Sequence, residues 1–214
     1  MIQDLLKRYK ELNPNELTAS ELKDLQQEVT KANRSEDVSD QYCDFMLWCR
    51  GLPSRQKEFV NHILKRLSKH PGAKILEVGC GRTAIVSREL SKHGFQMTCI
   101  DPKLDFSVIK HSTEIKGIRA KFDYETFNIS EFDYVIAVEP CDATEHVVRA
   151  CISANKPFFM SLCGVPHKLL NGKMPKDYKE WHQYLRSISP EKLTLIQFSW
   201  NPLFQTQILK SKNF

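Results

Sequence analysis

The segment of this chain best suited to chemistry on a ligand is Glu77-Val78-Gly79-Cys80-Gly81, an acid followed by two closely spaced glycines. Gly79 and Gly81 carry no Cβ, so they can take positive φ and let a ligand approach the backbone. A helix starting behind such a turn offers N–H groups that have no intrahelical partner. The turn alone is weak, because short GxG turns occur in many nucleotide-binding folds, and Thr83 stands where the dinucleotide fingerprint has its third glycine. Asp101 adds weight. It lies 22 residues after Gly79, and a carboxylate there accepts hydrogen bonds from the two hydroxyls of a ribose. Further on, Val138-Glu139-Pro140-Cys141-Asp142 sets two acids and a thiol around a proline. Asp142-Ala143-Thr144-Glu145 fits a capping box, and that reading of Asp142 outweighs a catalytic one. His146 and His167 are candidate bases, although a lone histidine more often packs or lies on the surface. Cys141 has no paired base that would make it a nucleophile.

These residues need a scaffold. Residues 74–78 form a short apolar run before the glycine turn and read as a buried strand. Residues 83–93 read as a helix ending at Gly94, and 95–100 as a second strand stopped by Asp101-Pro102. Residues 118–122 give a weak third strand, 132–138 a strong fourth, 142–154 a helix and 157–162 a fifth strand. This alternation implies βαβ units and a mainly parallel sheet. In the tail, 178–188 looks helical, and strand-like runs at 193–199 and 206–209 flank Trp200-Asn201-Pro202-Leu203, which suggests an antiparallel hairpin at the sheet edge. Residues 1–70 carry helical periodicity. They include an apolar cluster of Tyr42, Phe45 and Trp48, and a helix capped by Ser54 with Phe59, Val60, Ile63, Leu64 and Leu67 along it. The expected organisation is therefore an N-terminal helical cap over 1–70 and an α/β domain over 71–214. The aromatic cluster is read as interhelical packing, with a lid over substrate as the functional alternative.

From Lys74 to about Leu162 the chain resembles the S-adenosylmethionine-dependent methyltransferase family with a Rossmann-like fold. The resemblance rests on the loop Glu77, Gly79, Gly81, on Asp101 ending the second strand, and on the acidic, proline-containing end of the fourth. It implies an α/β fold with a doubly wound, mainly parallel sheet and an antiparallel C-terminal strand. It also implies that Glu77, Gly79 and Gly81 hold the methionine part of S-adenosylmethionine and Asp101 the ribose. Asp123, followed by Tyr124, is then the candidate for the adenine amine, and Glu139 lies near the methyl group. Glu139, with His146 and His167 behind it, is the expected group that orients or deprotonates the acceptor. The rival readings are a nucleotide-dependent oxidoreductase, against which the missing third glycine argues, and a non-catalytic binding module on the same fold.

Composition sets the outer bounds. The chain has 214 residues, a hydrophobic fraction of 41% and a charged fraction of 27%, which suit a globular protein with a real core. A net charge of +5 permits RNA as a partner without demanding it. Lys168, Lys173, Lys176, Lys179 and Arg186 read as a solvated face, and no RNA-binding module is recognisable. The acceptor is expected to be a small molecule or peptide rather than RNA, with oligomeric state left open. Cys43, Cys49, Cys80, Cys99, Cys141, Cys151 and Cys163 form no CxxC pair, so they read as reduced thiols in a cytoplasmic protein and no metal site is expected. No run approaches the length that spans a bilayer, and the N-terminus has no targeting pattern.

Overall fold

The computed structural model describes residues 55–201 and 204–214. The expected Tyr42, Phe45 and Trp48 cluster and the Ser54 cap lie outside the described residues. The chain divides into two compact units, residues 1–58 with 199–205 and residues 59–198 with 206–214. The second unit carries the motifs above and is described by itself.

The described elements follow in order: α1 (Arg55–Leu67), β1 (Lys74–Val78), α2 (Ile85–Ser91), β2 (Gln96–Ile100), β3 (Ile115–Ile118), β4 (Tyr134–Val138), α3 (Thr144–Ser153), β5 (Phe158–Ser161), α4 (Tyr178–Ser187), β6 (Leu193–Asn201) and β7 (Phe204–Ser211). They build one seven-stranded sheet in the order β3-β2-β1-β4-β5-β7-β6. The pairs among β1 to β5 are parallel, and β7 runs antiparallel to β5. The sheet is thus mainly parallel with an antiparallel tail, as the alternation of strand and helix in the sequence implies.

Alternation along the strands explains why both faces are covered. In β1, Leu76 and Val78 point into a core shared with Val147 and Val148 of α3 and Trp181 and Leu185 of α4. The intervening Ile75 and Glu77 are equally buried on the other face. There Ser87 of α2 meets Glu77, and Phe59 of α1 packs on Phe159 of β5 with ring centroids 5.3 Å apart. Strands buried on both faces read as continuous apolar runs.

Three local expectations are corrected. The third strand is Ile115–Ile118, not 118–122. It is half-buried at the sheet edge and carries Lys116 and Gly117, so it lacks an apolar run; the apolar signal of Phe122 comes instead from packing in a loop on Phe127 at 5.3 Å. The first helix after the glycine turn starts at Ile85, behind a left-handed Ala84, and no side chain caps it. The capping box at Asp142 does not form: α3 begins behind Ala143 without a side-chain cap. Glu145 is instead taken up by Arg149 at 2.7 Å, the Tyr184 hydroxyl at 2.8 Å and the Leu170 N–H at 2.9 Å.

Candidate functional site

The register Val78↔Ile100 brings the ends of β1 and β2 level, so the glycine turn and Asp101 emerge side by side. The Gly79 N–H donates to the Ile100 carbonyl at 2.9 Å, and the Gly81 N–H to Asp101 Oδ2 at 3.0 Å. Both glycines sit in the left-handed region, Gly79 at φ 74° and Gly81 at φ 65°. Gly79 is required twice over, because a Cβ there would stand 2.9 Å from the Cα and Cβ of Pro140. The loop after β1 therefore rests directly on the loop after β4.

Glu77 lies beneath this turn rather than on its surface. It is 2% exposed, and its carboxylate accepts from the Ser87 N–H at 2.9 Å and from the Ser87 hydroxyl. It thus meets an orphan N–H in the first turn of α2. Burial pushes its pKa up to about 7, against the two Ser87 bonds, with the nearby Asp101 charge adding to the rise.

Asp101 is half-buried and already accepts two bonds, from Gly81 and, through Oδ1, from the Lys103 N–H at 2.7 Å. A carboxylate offers about four acceptor sites. The two that remain match in number and sign the two hydroxyls of a ribose, so the residues present fit the sugar of an adenosyl group.

Asp123, Tyr124 and His146 come together in a second cluster. The Tyr124 N–H donates to His146 Nδ1 at 3.3 Å, and the same nitrogen lies 3.4 Å from Asp123 Oδ1. The bond from Tyr124 requires Nδ1 unprotonated, so the Asp123 contact becomes an ion pair only in the imidazolium form. His146 thus stands with Asp123 and Tyr124.

Glu139 follows β4 with a left-handed backbone, φ 50°, and its N–H donates to the Ser161 carbonyl at 2.9 Å. Cys141, two residues on, is also left-handed at φ 53°. Its thiol donates to the Glu139 carbonyl at 3.3 Å and lies 3.8 Å from Cys163 Sγ. His167 completes the group: its Nδ1 is 3.1 Å from Asp142 Oδ1, and its Nε2 is buried without a hydrogen-bond partner. The Cys163 thiol and then the His167 ring hold Cys141 down to about 5, well below a free thiol, while Cys141 and burial push Cys163 up, with a smaller part from Glu139. Cys141 in turn raises His167. The sequence reading named His167 and Asp142 separately and missed their union with the two cysteines. Only tertiary placement reveals it, since Cys141 and Cys163 stand 22 residues apart.

Lys173 pairs with Glu180 at 2.6 Å, and the Lys179 ammonium lies 6.0 Å from the Tyr178 ring centre, so these cations of the basic run have local partners. Cys80, Cys99, Cys141, Cys151 and Cys163 are free thiols. Among the described residues no helix is long and apolar enough to cross a membrane. A concavity of about 600 Å³ lined by His70, Ala73, Asp133, Tyr134 and Pro157 sits at the amino ends of the strands. That is the opposite edge from the glycine turn, whereas ligands of open α/β sheets bind at the carboxyl ends.

No family model matches the chain, and no curated protein matches it. Solved structures do. A mutant of MtNAS aligns over 99% of this chain and 75% of its own, with a TM-score of 0.54 and 13% identity. The bifunctional kinase-methyltransferase WbdD aligns over 73% of this chain at a TM-score of 0.49 and 16% identity, and the chain spans 39% of the length of WbdD. A TehB-like SAM-dependent methyltransferase from Corynebacterium glutamicum aligns over 78% of this chain and 92% of its own, at 0.45 and 20% identity. With its strand order and antiparallel β7, the chain has a Rossmann-like α/β fold, which it shares with the MtNAS mutant.

Proposed function

We propose that the chain is an S-adenosylmethionine-dependent methyltransferase acting on a small molecule or peptide. The observation that carries this reading is the junction of Gly81 with Asp101. A left-handed glycine turn at the carboxyl end of β1 is fastened to a carboxylate that keeps acceptor sites for a ribose. Asp123 and Tyr124, joined to His146, would receive the adenine. Glu77 serves the turn from beneath by fixing α2.

When bound, S-adenosylmethionine supplies a methyl group already activated on a sulfonium, so the chemistry needed is an in-line displacement. The chain's task is to align the acceptor and to receive its proton where it has one. Glu139 is the first candidate for this, because its neighbour Pro140 lies against Gly79 and so brings the end of β4 beside the glycine turn. His167 is the second candidate. His146 is better suited to holding Tyr124.

Calorimetric titration of the full chain with S-adenosylhomocysteine and with NAD tests the reading. Saturable binding of the first and none of the second is expected; binding of NAD alone would make the chain an oxidoreductase-type binder, and binding of neither an interaction module. Labelled cofactor incubated with fractionated cell extract then identifies the acceptor, and Glu139→Gln is expected to abolish transfer while leaving S-adenosylhomocysteine affinity within about twofold.

A further inference from the structure

We propose that Cys141, Cys163 and His167 form a zinc site at the carboxyl ends of β4 and β5, with a fourth position open to water or a thiol. The two sulfurs are 3.8 Å apart. A tetrahedral zinc ion with bonds of about 2.3 Å to each thiolate sets its sulfurs about 3.8 Å apart. A ring nitrogen of His167 lies with both sulfurs inside a span of 4.8 Å. His167 sits on the loop after β5, so it is the ligand that swings in by about 1 Å to complete the shell.

The surroundings of the three residues are those of ligands. Asp142 accepts from His167 at Nδ1 and so leaves Nε2 as the free nitrogen. That nitrogen is buried with no hydrogen-bond partner, a costly arrangement that a metal relieves. A carboxylate behind a ligating histidine is the usual outer partner, fixing tautomer and ring orientation. The His182 ring contacts the Cys163 carbonyl at 3.3 Å, steadying the second cysteine from behind. The register Val138↔Ser161 brings the two strand ends abreast, so both cysteines issue from adjacent, rigid strands. Two thiolates and an imidazole suit zinc over the harder divalent cations.

The site does not depend on the methyl-donor reading: with zinc on Nε2 and Asp142 on Nδ1, His167 leaves the proton-accepting role to Glu139, and a separate titration with S-adenosylhomocysteine keeps the two apart. The test uses the full chain, stripped with a chelator and titrated with Zn²⁺ against a chromogenic competitor. One equivalent is expected. Cys141→Ser, Cys163→Ser and His167→Gln each remove tight binding, Asp142→Ala weakens it by about 10- to 100-fold, and Cys151→Ala, which alters a buried cysteine outside the cluster, leaves it unchanged. The Co²⁺ form should show the intense visible bands of a tetrahedral ion and thiolate charge transfer that falls in either cysteine variant. Adding a small thiol should shift those bands through the open position. Substoichiometric binding, binding that survives the Cys141→Ser, Cys163→Ser double variant, or a Cys141–Cys163 disulfide in the freshly purified protein would overturn the assignment. Circular dichroism checks folding; should the buried Cys163→Ser fail to fold, Cys141→Ser at an exposed position decides the matter.

Discussion

Replacing Glu77 by Gln isolates the energetic consequence of burying a carboxyl under the glycine turn. Burial raises Glu77 from its ordinary 4.5 to about 7, outweighing the two hydrogen bonds from Ser87. Between those values the folded chain holds a proton that the unfolded chain has released. Stability therefore falls as pH rises from 4.5 to about 7 and stays flat with respect to this group above that. The interval, at about 1.4 kcal/mol per pH unit, is worth about 3 kcal/mol. Gln keeps an amide oxygen to accept from the Ser87 N–H but does not titrate. Urea unfolding of wild type and Glu77→Gln at closely spaced values from pH 4 to 8 measures the difference directly. The variant should gain on the wild type by about 3 kcal/mol across the interval, because the cost of ionising the buried acid disappears. A difference that does not change with pH would show that Ser87 holds the carboxylate ionised throughout, and would refute the priority given to burial.

Other substitutions probe neighbouring contacts. Gly79→Ala places a Cβ 2.9 Å from Pro140 at a left-handed position, so thermal unfolding should fall by several degrees, reflecting a loss above about 1 kcal/mol, and S-adenosylhomocysteine affinity should drop with it. Asp101→Asn leaves one oxygen to accept from Gly81 but lowers the acceptor capacity for ribose; calorimetry should report affinity weakened by about tenfold or more, a loss of about 1.5 to 3 kcal/mol, with thermal stability nearly kept. Glu145→Ala removes a carboxylate that is 4% exposed and joins Arg149, Tyr184 and Leu170. Chemical unfolding should show a loss of about 3 kcal/mol, since Arg149 and the Leu170 N–H lose a shared partner.

The parts of this fold that the sequence makes legible are those in which local pattern and tertiary demand agree. The runs at 75–78, 135–138 and 158–161 are apolar because their strands are buried on both faces, so their positions follow from composition alone. Gly79, Gly81 and Asp101 are legible because their spacing is set by one βαβ unit. Legibility fails where a distant partner overrides a local motif. Asp142-Ala143-Thr144-Glu145 has the spacing of a capping box, yet Leu170 and Tyr184, 25 and 39 residues away, claim Glu145, and His167 claims Asp142. The pairing of Cys141 with Cys163 is invisible for the same reason: a search for metal ligands at short spacing along the chain cannot see two strand ends made neighbours by a crossover.

Backbone strain singles out the same edge. Among the described residues, the non-glycine positions with positive φ are Ala84, Glu139, Cys141 and Asn155. Asn155 is a residue type that tolerates this conformation and follows α3. The other three stand at the carboxyl ends of β1 and β4, and each costs about 1 kcal/mol or more. Such conformations persist only where the surroundings over-determine them. Here the Ala84 carbonyl accepts from Arg88 in α2, the Glu139 N–H is fixed to Ser161, and the Cys141 thiol turns back to Glu139. Relaxing Glu139 or Cys141 to an ordinary extended backbone would release Pro140 from Gly79 and carry Cys141 away from Cys163. The strain and the juxtaposition of the two loops are thus one feature, which predicts that Cys141→Gly, freed of the conformational penalty, unfolds at higher denaturant than Cys141→Ala while both lack the thiol. Equal midpoints for the two variants would show that Cys141 carries no backbone strain and that the loop after β4 is shaped by its side chains alone.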